Sequence, residues 1–207
     1  MRQGLENSPL RHHLLDEAQL ERSLPETLAA APVTGDIWLF AYGSLVWNPI
    51  VHFAERRVVT MHGFHRRFSM WSRINRGTPE DPGLVLGLDH GGCCTGVAYL
   101  LLAADVEAEL RLLWRREMLL GIYRPRWLTA VDAAGPLPAL GFAVLRSGPS
   151  YAGRLSDDAV VECLCRTVGK LGRGIDYLRN TIDGLDQAGI TDAHLLRLDA
   201  LARARGI

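Results

Sequence analysis

The chain has 207 residues, 48% of them hydrophobic, enough for one well-packed domain or one domain with an extension. Lysine plus arginine balances aspartate plus glutamate at 23 each, so no overall field draws nucleic acid or an anionic membrane, and the expected partner is a small molecule. The longest uninterrupted apolar run, residues 97–104, falls far short of the roughly 20 residues that cross a bilayer. The opening MRQGLENSPLRHH has no apolar h-region, so neither signal peptide nor anchor is expected, and the protein reads as cytoplasmic. Cys93 and Cys94 are adjacent and Cys163 and Cys165 lie two apart on a predicted helix. Neither pair suits a disulfide or the spacing of a zinc site, so no metal or cofactor is expected.

Residues 1–35 predict a helical extension that packs on the domain or on a partner chain. Ser8 is placed to cap a helix with Pro9 at its first position, and Leu10, Leu14, Leu15 and Ala18 recur at helical spacing. PETLAAAPVTG then reads as a linker, and His12 and His13 as surface residues. The domain proper, residues 36–207, opens with IWLFAY, a short apolar and aromatic run suited to a buried strand, which stops at Gly43-Ser44. A glycine there lets the backbone approach a ligand, and successive N–H groups leaving a strand can form an anion-holding nest.

Four β-rich runs follow, at 57–64, 68–71, 84–88 and 94–102, separated by turn chemistry at 79–83 and at Gly91-Gly92; antiparallel pairing is expected. Arg66 and Arg67 in HRRF read as a solvated face. Arg76, followed by Gly77 in a loop, is better placed to meet a carboxylate.

The segment 106–121, VEAELRLLWRREMLLG, predicts a helix ended by Gly121. Val106, Leu110, Leu113 and Trp114 form one stripe, and Glu117 falls in its middle. A buried carboxylate costs several kcal/mol unless it is paired or its pKa rises. Two readings therefore stand for Glu117: an ion pair with Arg124 or Arg76, or a general acid/base. Strands at 127–131 and 139–145 come next, then a helix capped by Ser156 and running to about residue 168. GKLGRG lacks the preceding strand and GK[ST] of a phosphate loop. It leads into a helix with Tyr177 and Leu178, and an amphipathic helix at 191–204 closes the chain.

Three blocks stand out together: FAYGSLVW at 40–47, RGTPEDPG at 76–83 and LWRREMLLGIY at 113–123. Their order and spacing resemble the ChaC family of γ-glutamylcyclotransferases, the glutathione-specific kind, over nearly all of residues 36–190. Leu84 stands where that family has an arginine, and Gly174 where it has an asparagine before a Tyr-Leu pair. The resemblance implies an α+β domain, a mixed, mostly antiparallel small β-barrel flanked by helices. It also implies conversion of glutathione to 5-oxoproline and Cys-Gly without a cofactor. Glu117 would be the catalytic acid/base, and Phe40, Ala41, Tyr42, Gly43, Ser44, Leu45, Arg76, Tyr123 and Tyr177 the substrate-binding set. In such a reaction the substrate's own α-amine attacks its γ-carbonyl, which fits the absence of a GxSxG elbow or a Cys/His pair. Two alternatives are a cyclotransferase for other γ-glutamyl amines or dipeptides, and a non-catalytic γ-glutamyl-binding regulator linked to cation transport.

Overall fold

A computed structural model describes residues 14–207. The expected helix start at Ser8 and Pro9 lies outside the described residues. The first described helix, α1, spans Glu17–Ala29, and Asp16 and Gln19 cap it reciprocally. Pro25 sits inside α1, so the linker expected from residue 25 begins only after Ala29. Burial overrides the helix-breaking tendency here: Leu20 and Leu24 are buried, and two tryptophans hold the helix down. Trp114 Nε1 donates to Ser23 Oγ at 2.7 Å and Trp127 Nε1 to the Thr27 carbonyl at 2.8 Å.

The strands β1 (Ile37–Ala41), β2 (Glu55–Ser72), β3 (Gly83–Leu101), β4 (Tyr123–Asp132) and β5 (Gly135–Val144) close into a barrel in the order β1-β3-β2-β4-β5. All pairings are antiparallel except those of β5 with β1 and β3, so the barrel is mixed and mostly antiparallel. The four runs predicted between 57 and 102 are two long strands rather than four short ones. The Gly91-Gly92 signal is absorbed as a bulge. Those two residues face Gly63 on β2, and all three have positive φ, which lets the ribbon bend without ending.

Alternate residues of β1 and its continuation feed two apolar clusters: Ile37, Leu39 and Ala41 join the one shared with the helices, Phe40 and, just past the strand, Tyr42 the other. The helices are α2 (Ser44–Trp47), α3 (Val106–Glu117), α4 (Asp157–Arg166), α5 (Gly174–Asp186) and α6 (Ala193–Ala204). GKLGRG forms a hairpin of two short strands, β6 (Val168–Gly169) and β7 (Gly172–Arg173). A Cβ on Gly174 would sit 2.9 Å from both Cα and the carbonyl oxygen of Leu164, so no larger residue fits where α5 meets α4. Leu84 is wholly buried. Among the described residues no helix is long and apolar enough to cross a membrane.

Candidate functional site

β1 ends at Ala41, and Tyr42 and Gly43 carry the chain into the short helix α2. This loop is braced on several sides. Tyr99 Oη donates toward the Leu45 and Val46 carbonyls at 3.1 and 3.2 Å, and Tyr42 Oη donates to the Phe142 carbonyl at 2.9 Å. Arg66 Nε donates to the Tyr42 carbonyl. Arg66 is therefore not on a solvated face: it is 6% exposed, with Nη2 donating to the Thr95 carbonyl at 2.6 Å and Nη1 paired with Asp192. The strand's alternation turns Arg66 inward, and the N-cap carboxylate of α6 neutralises it. Arg67 is half-buried.

Glu117 is the last residue of α3, and its side chain is 15% exposed. Its ion-pair partner is neither Arg124 nor Arg76 but its neighbour Arg116, whose Nε lies 3.1 Å from Oε1. Arg116 folds back across the loop: Nη2 donates to Ser44 Oγ at 2.6 Å and Nη1 to the Asn48 carbonyl at 3.4 Å. Burial pushes the Glu117 carboxyl above its ordinary value, and the Arg116 charge draws it only partly back. Arg124 is exposed on β4.

Three phenols surround this carboxyl. Burial, then the Tyr123 hydroxyl and the Glu117 charge, hold Tyr42 well above the usual phenol range; burial and Glu117 do the same to Tyr123, and burial pushes Tyr177 up to about 12. All three remain neutral and keep their protons for donation.

Tyr42, Gly43, Ser44, Leu45, Glu117, Tyr123 and Tyr177 line a small inner chamber of about 30 Å³, together with Leu86 and Phe142. Ser44, Glu117, Tyr123 and Tyr177 also line an outer cavity of about 320 Å³, which Arg76 borders with Trp47, Trp71, Arg73 and Arg116. That volume is in the range of small-molecule sites. Phe40 and Ala41 line neither: both are wholly buried in the core. Arg116 escaped the sequence reading because helical periodicity places it off the Glu117 stripe, while its long side chain reaches back over the helix end. Leu86, Phe142, Trp47, Trp71 and Arg73 carry no local signal that marks them as cavity residues.

Residues 37–205 match the family described as ChaC-like protein. The chain is 37% identical over 175 residues to a protein of Escherichia coli (strain K12) named glutathione-specific gamma-glutamylcyclotransferase, covering 84% of this chain and 76% of that one. It is 34% identical over 166 residues to glutathione-specific gamma-glutamylcyclotransferase 1 of Homo sapiens, covering 77% and 75%. A solved structure of a yeast gamma-glutamyl cyclotransferase specific to glutathione is similar in fold, with a TM-score of 0.75 at 20% identity over 83% of this chain and 97% of that one. With a family match over most of its length and relatives at this identity on either side, the chain belongs to the ChaC-like family.

Proposed function

We propose that the protein is a γ-glutamylcyclotransferase that degrades glutathione to 5-oxoproline and Cys-Gly, with Glu117 as its general acid/base. The observation that carries this reading is the carboxyl of Glu117 on the wall of the chamber formed by the Tyr42 to Leu45 loop, its pKa raised by burial. The catalytic unit spans residues 36–207, with α1 buttressing the helix that ends in Glu117.

The reaction needs orientation, two proton transfers through Glu117 and loss of a second proton from the attacking nitrogen. Folding the γ-glutamyl group so that its α-nitrogen meets its own γ-carbonyl is worth about 7 to 11 kcal/mol in a well-ordered site. Ionised Glu117 takes a proton from the substrate ammonium. The freed amine forms the new C–N bond, and the electron pair moves onto the carbonyl oxygen. Collapse of that intermediate breaks the original amide C–N bond as protonated Glu117 returns its proton to the leaving nitrogen, and the ring nitrogen gives up its second proton to the departing amine, which leaves as an ammonium. Burial makes Glu117 a competent donor, while Arg116 keeps a share of it ionised for the first transfer. The loop backbone holds the γ-glutamyl group, and the neutral hydroxyls of Tyr123 and Tyr177 supply donors around it. No metal or cofactor enters this scheme.

The test is incubation with glutathione and mass detection of 5-oxoproline and Cys-Gly, by the wild type and by Glu117→Gln. The wild type forms both products and the folded variant neither. A wild type that forms no 5-oxoproline overturns the reading; near wild-type turnover by the variant overturns the role of Glu117.

A further inference from the structure

The boundary between the two cavities fixes where the leaving half of a substrate goes. Ser44, Glu117, Tyr123 and Tyr177 line both the inner chamber and the outer cavity. Glu117 returns a proton to the leaving nitrogen, so that nitrogen stands at this boundary when the γ-glutamyl group fills the chamber. In glutathione the cysteine α-carbon is the next atom along. The cysteine side chain is therefore the first group of the leaving half to enter the outer cavity.

What it meets there is apolar. Trp47, Ile50, Trp71, Val85, Leu120 and Ile122 line the cavity, each of them half-buried. Leu171, on the hairpin of β6 and β7, adds a side chain that is 62% exposed. The polar atom of the Trp47 side chain is already used, since Nε1 donates to Thr181 Oγ1 at 3.1 Å, and the ring meets Tyr177 edge to face with centroids 6.3 Å apart. The indole thus stands as a fixed apolar surface. Polar groups beside it are engaged as well: Ser72 Oγ accepts from the Arg76 backbone N–H at 3.1 Å, and Arg116 is spent on Glu117, Ser44 and the Asn48 carbonyl.

Size points the same way. A cavity of about 150 Å³ lined by leucine, isoleucine and phenylalanine holds a benzene molecule. The outer cavity encloses about 320 Å³, which leaves room for a ring beside a Cys-Gly unit. A free thiol brings one small, weakly polar group to this wall and leaves most of it wet. An apolar group carried on the sulfur would cover it. The reaction itself is indifferent to such a group, because ring closure joins the α-nitrogen to the γ-carbonyl and the sulfur takes no part.

We propose that the outer cavity is a subsite for a substituent on the cysteine sulfur, and that glutathione S-conjugates, thioethers bearing apolar alkyl or aryl groups, are a further substrate class. This rests on the cyclotransferase reading of the site. The bonds made and broken are the same as for glutathione. The thioether is left intact, and the products are 5-oxoproline and an S-substituted Cys-Gly whose amine leaves as an ammonium.

The test measures 5-oxoproline release by the wild type from glutathione and from its S-methyl, S-butyl and S-benzyl derivatives. The ratio kcat/KM rises along the series by about two- to fourfold per carbon buried, through a lower KM at similar kcat. Val85→Phe fills part of the cavity and Leu120→Gln keeps its size but makes the wall polar, so both lower the preference for the S-benzyl compound over glutathione. A wild-type series that is flat, or that falls as the substituent grows, overturns the proposal and leaves the cyclotransferase reading intact, and this comparison needs no variant to fold. A preference unchanged in both variants overturns the assignment of the outer cavity. Absence of 5-oxoproline from every compound, glutathione included, overturns the cyclotransferase reading and the proposal with it.

Discussion

The Nε–H of Arg66 donates to the backbone carbonyl of Tyr42, so the loop that lines the inner chamber is fixed from a strand on the far side of the barrel order. The same guanidinium holds Thr95 and Asp192, which ties β1, β2, β3 and the start of α6 to one side chain. Removing one partner of such a buried pair costs about 3–5 kcal/mol, because the other charge is left uncompensated. Arg66→Ala should lower stability by about that much, seen as a lower urea midpoint. Asp192→Asn retains an oxygen to accept from the His194 and Leu195 N–H groups but leaves the buried Arg66 charge without its counterion, so it too should cost about 3–5 kcal/mol. Equal midpoints for wild type and Arg66→Ala would contradict this account.

Glu117 should make stability depend on pH. Its folded pKa is raised, so the folded state holds the proton more tightly than the unfolded chain, whose value is near 4.3. The favourable contribution is fully present below the unfolded value and is lost as pH rises through the folded one. Glu117→Gln, which stays neutral throughout, should match the wild type in acid and become the more stable protein at higher pH. Thermal unfolding across pH 4 to 8 reads this directly. A variant that is less stable than wild type at the upper end would show that ionised Glu117 is stabilised by its surroundings rather than penalised. The acidic limb of kcat/KM should likewise lie above the ordinary glutamate value.

Asp89 behaves in the opposite sense. Burial pushes its carboxyl up, but Arg146, the Tyr151 hydroxyl and the His90 N–H together outweigh that and hold it below its ordinary value. The contacts are 2.6 Å from Arg146 Nε, 2.9 Å from Tyr151 Oη and 2.8 Å from His90 N. A lowered folded pKa gives stability that is present above the unfolded value and lost as pH falls through the folded one. Asp89→Asn should therefore cost on the order of 1–2 kcal/mol near neutrality, with Arg146 half-exposed and partly screened, and less in acid. A cost that does not shrink on acidification would rule out the charge as its source.

Gly174→Ala should destabilise by about 1–3 kcal/mol, because the new Cβ meets the backbone of α4, which cannot rotate away. Differential scanning calorimetry would register the lower Tm. An unchanged Tm would mean that α5 can shift from Leu164 without loss.

The strand at 37–41 and the helix at 106–117 were legible because their signals are local, an apolar run, one stripe and turn residues, whereas the barrel was expected only from the family resemblance, because its closure joins residues far apart in sequence. Glu117 was conspicuous for the same reason, as a charge among Val106, Leu110, Leu113 and Trp114. Arg66 was misread because its neutralising partner, Asp192, lies 126 residues away and nothing near HRRF announces it. The merging of four runs into β2 and β3 was hidden because glycines that usually end strands here form a bulge. Residues 25–29 looked like a linker, since Pro25 is a helix breaker by itself, and only Trp114 and Trp127 make the helix worthwhile.

The closure of the barrel has a consequence for how activity is acquired. The inner chamber draws on the end of β1, the end of α3, the start of β4, the end of β5 and α5, and Tyr42 bonds to a carbonyl 100 positions along the chain. No fragment shorter than residues 42–177 contains its whole lining. Pairings so distant in sequence, including the parallel contact of Trp38 with Ala139, are slow to form because loop closure must precede any gain from contact. On dilution from denaturant, helical signal should return first, and turnover only with the final step that joins β5 to β1.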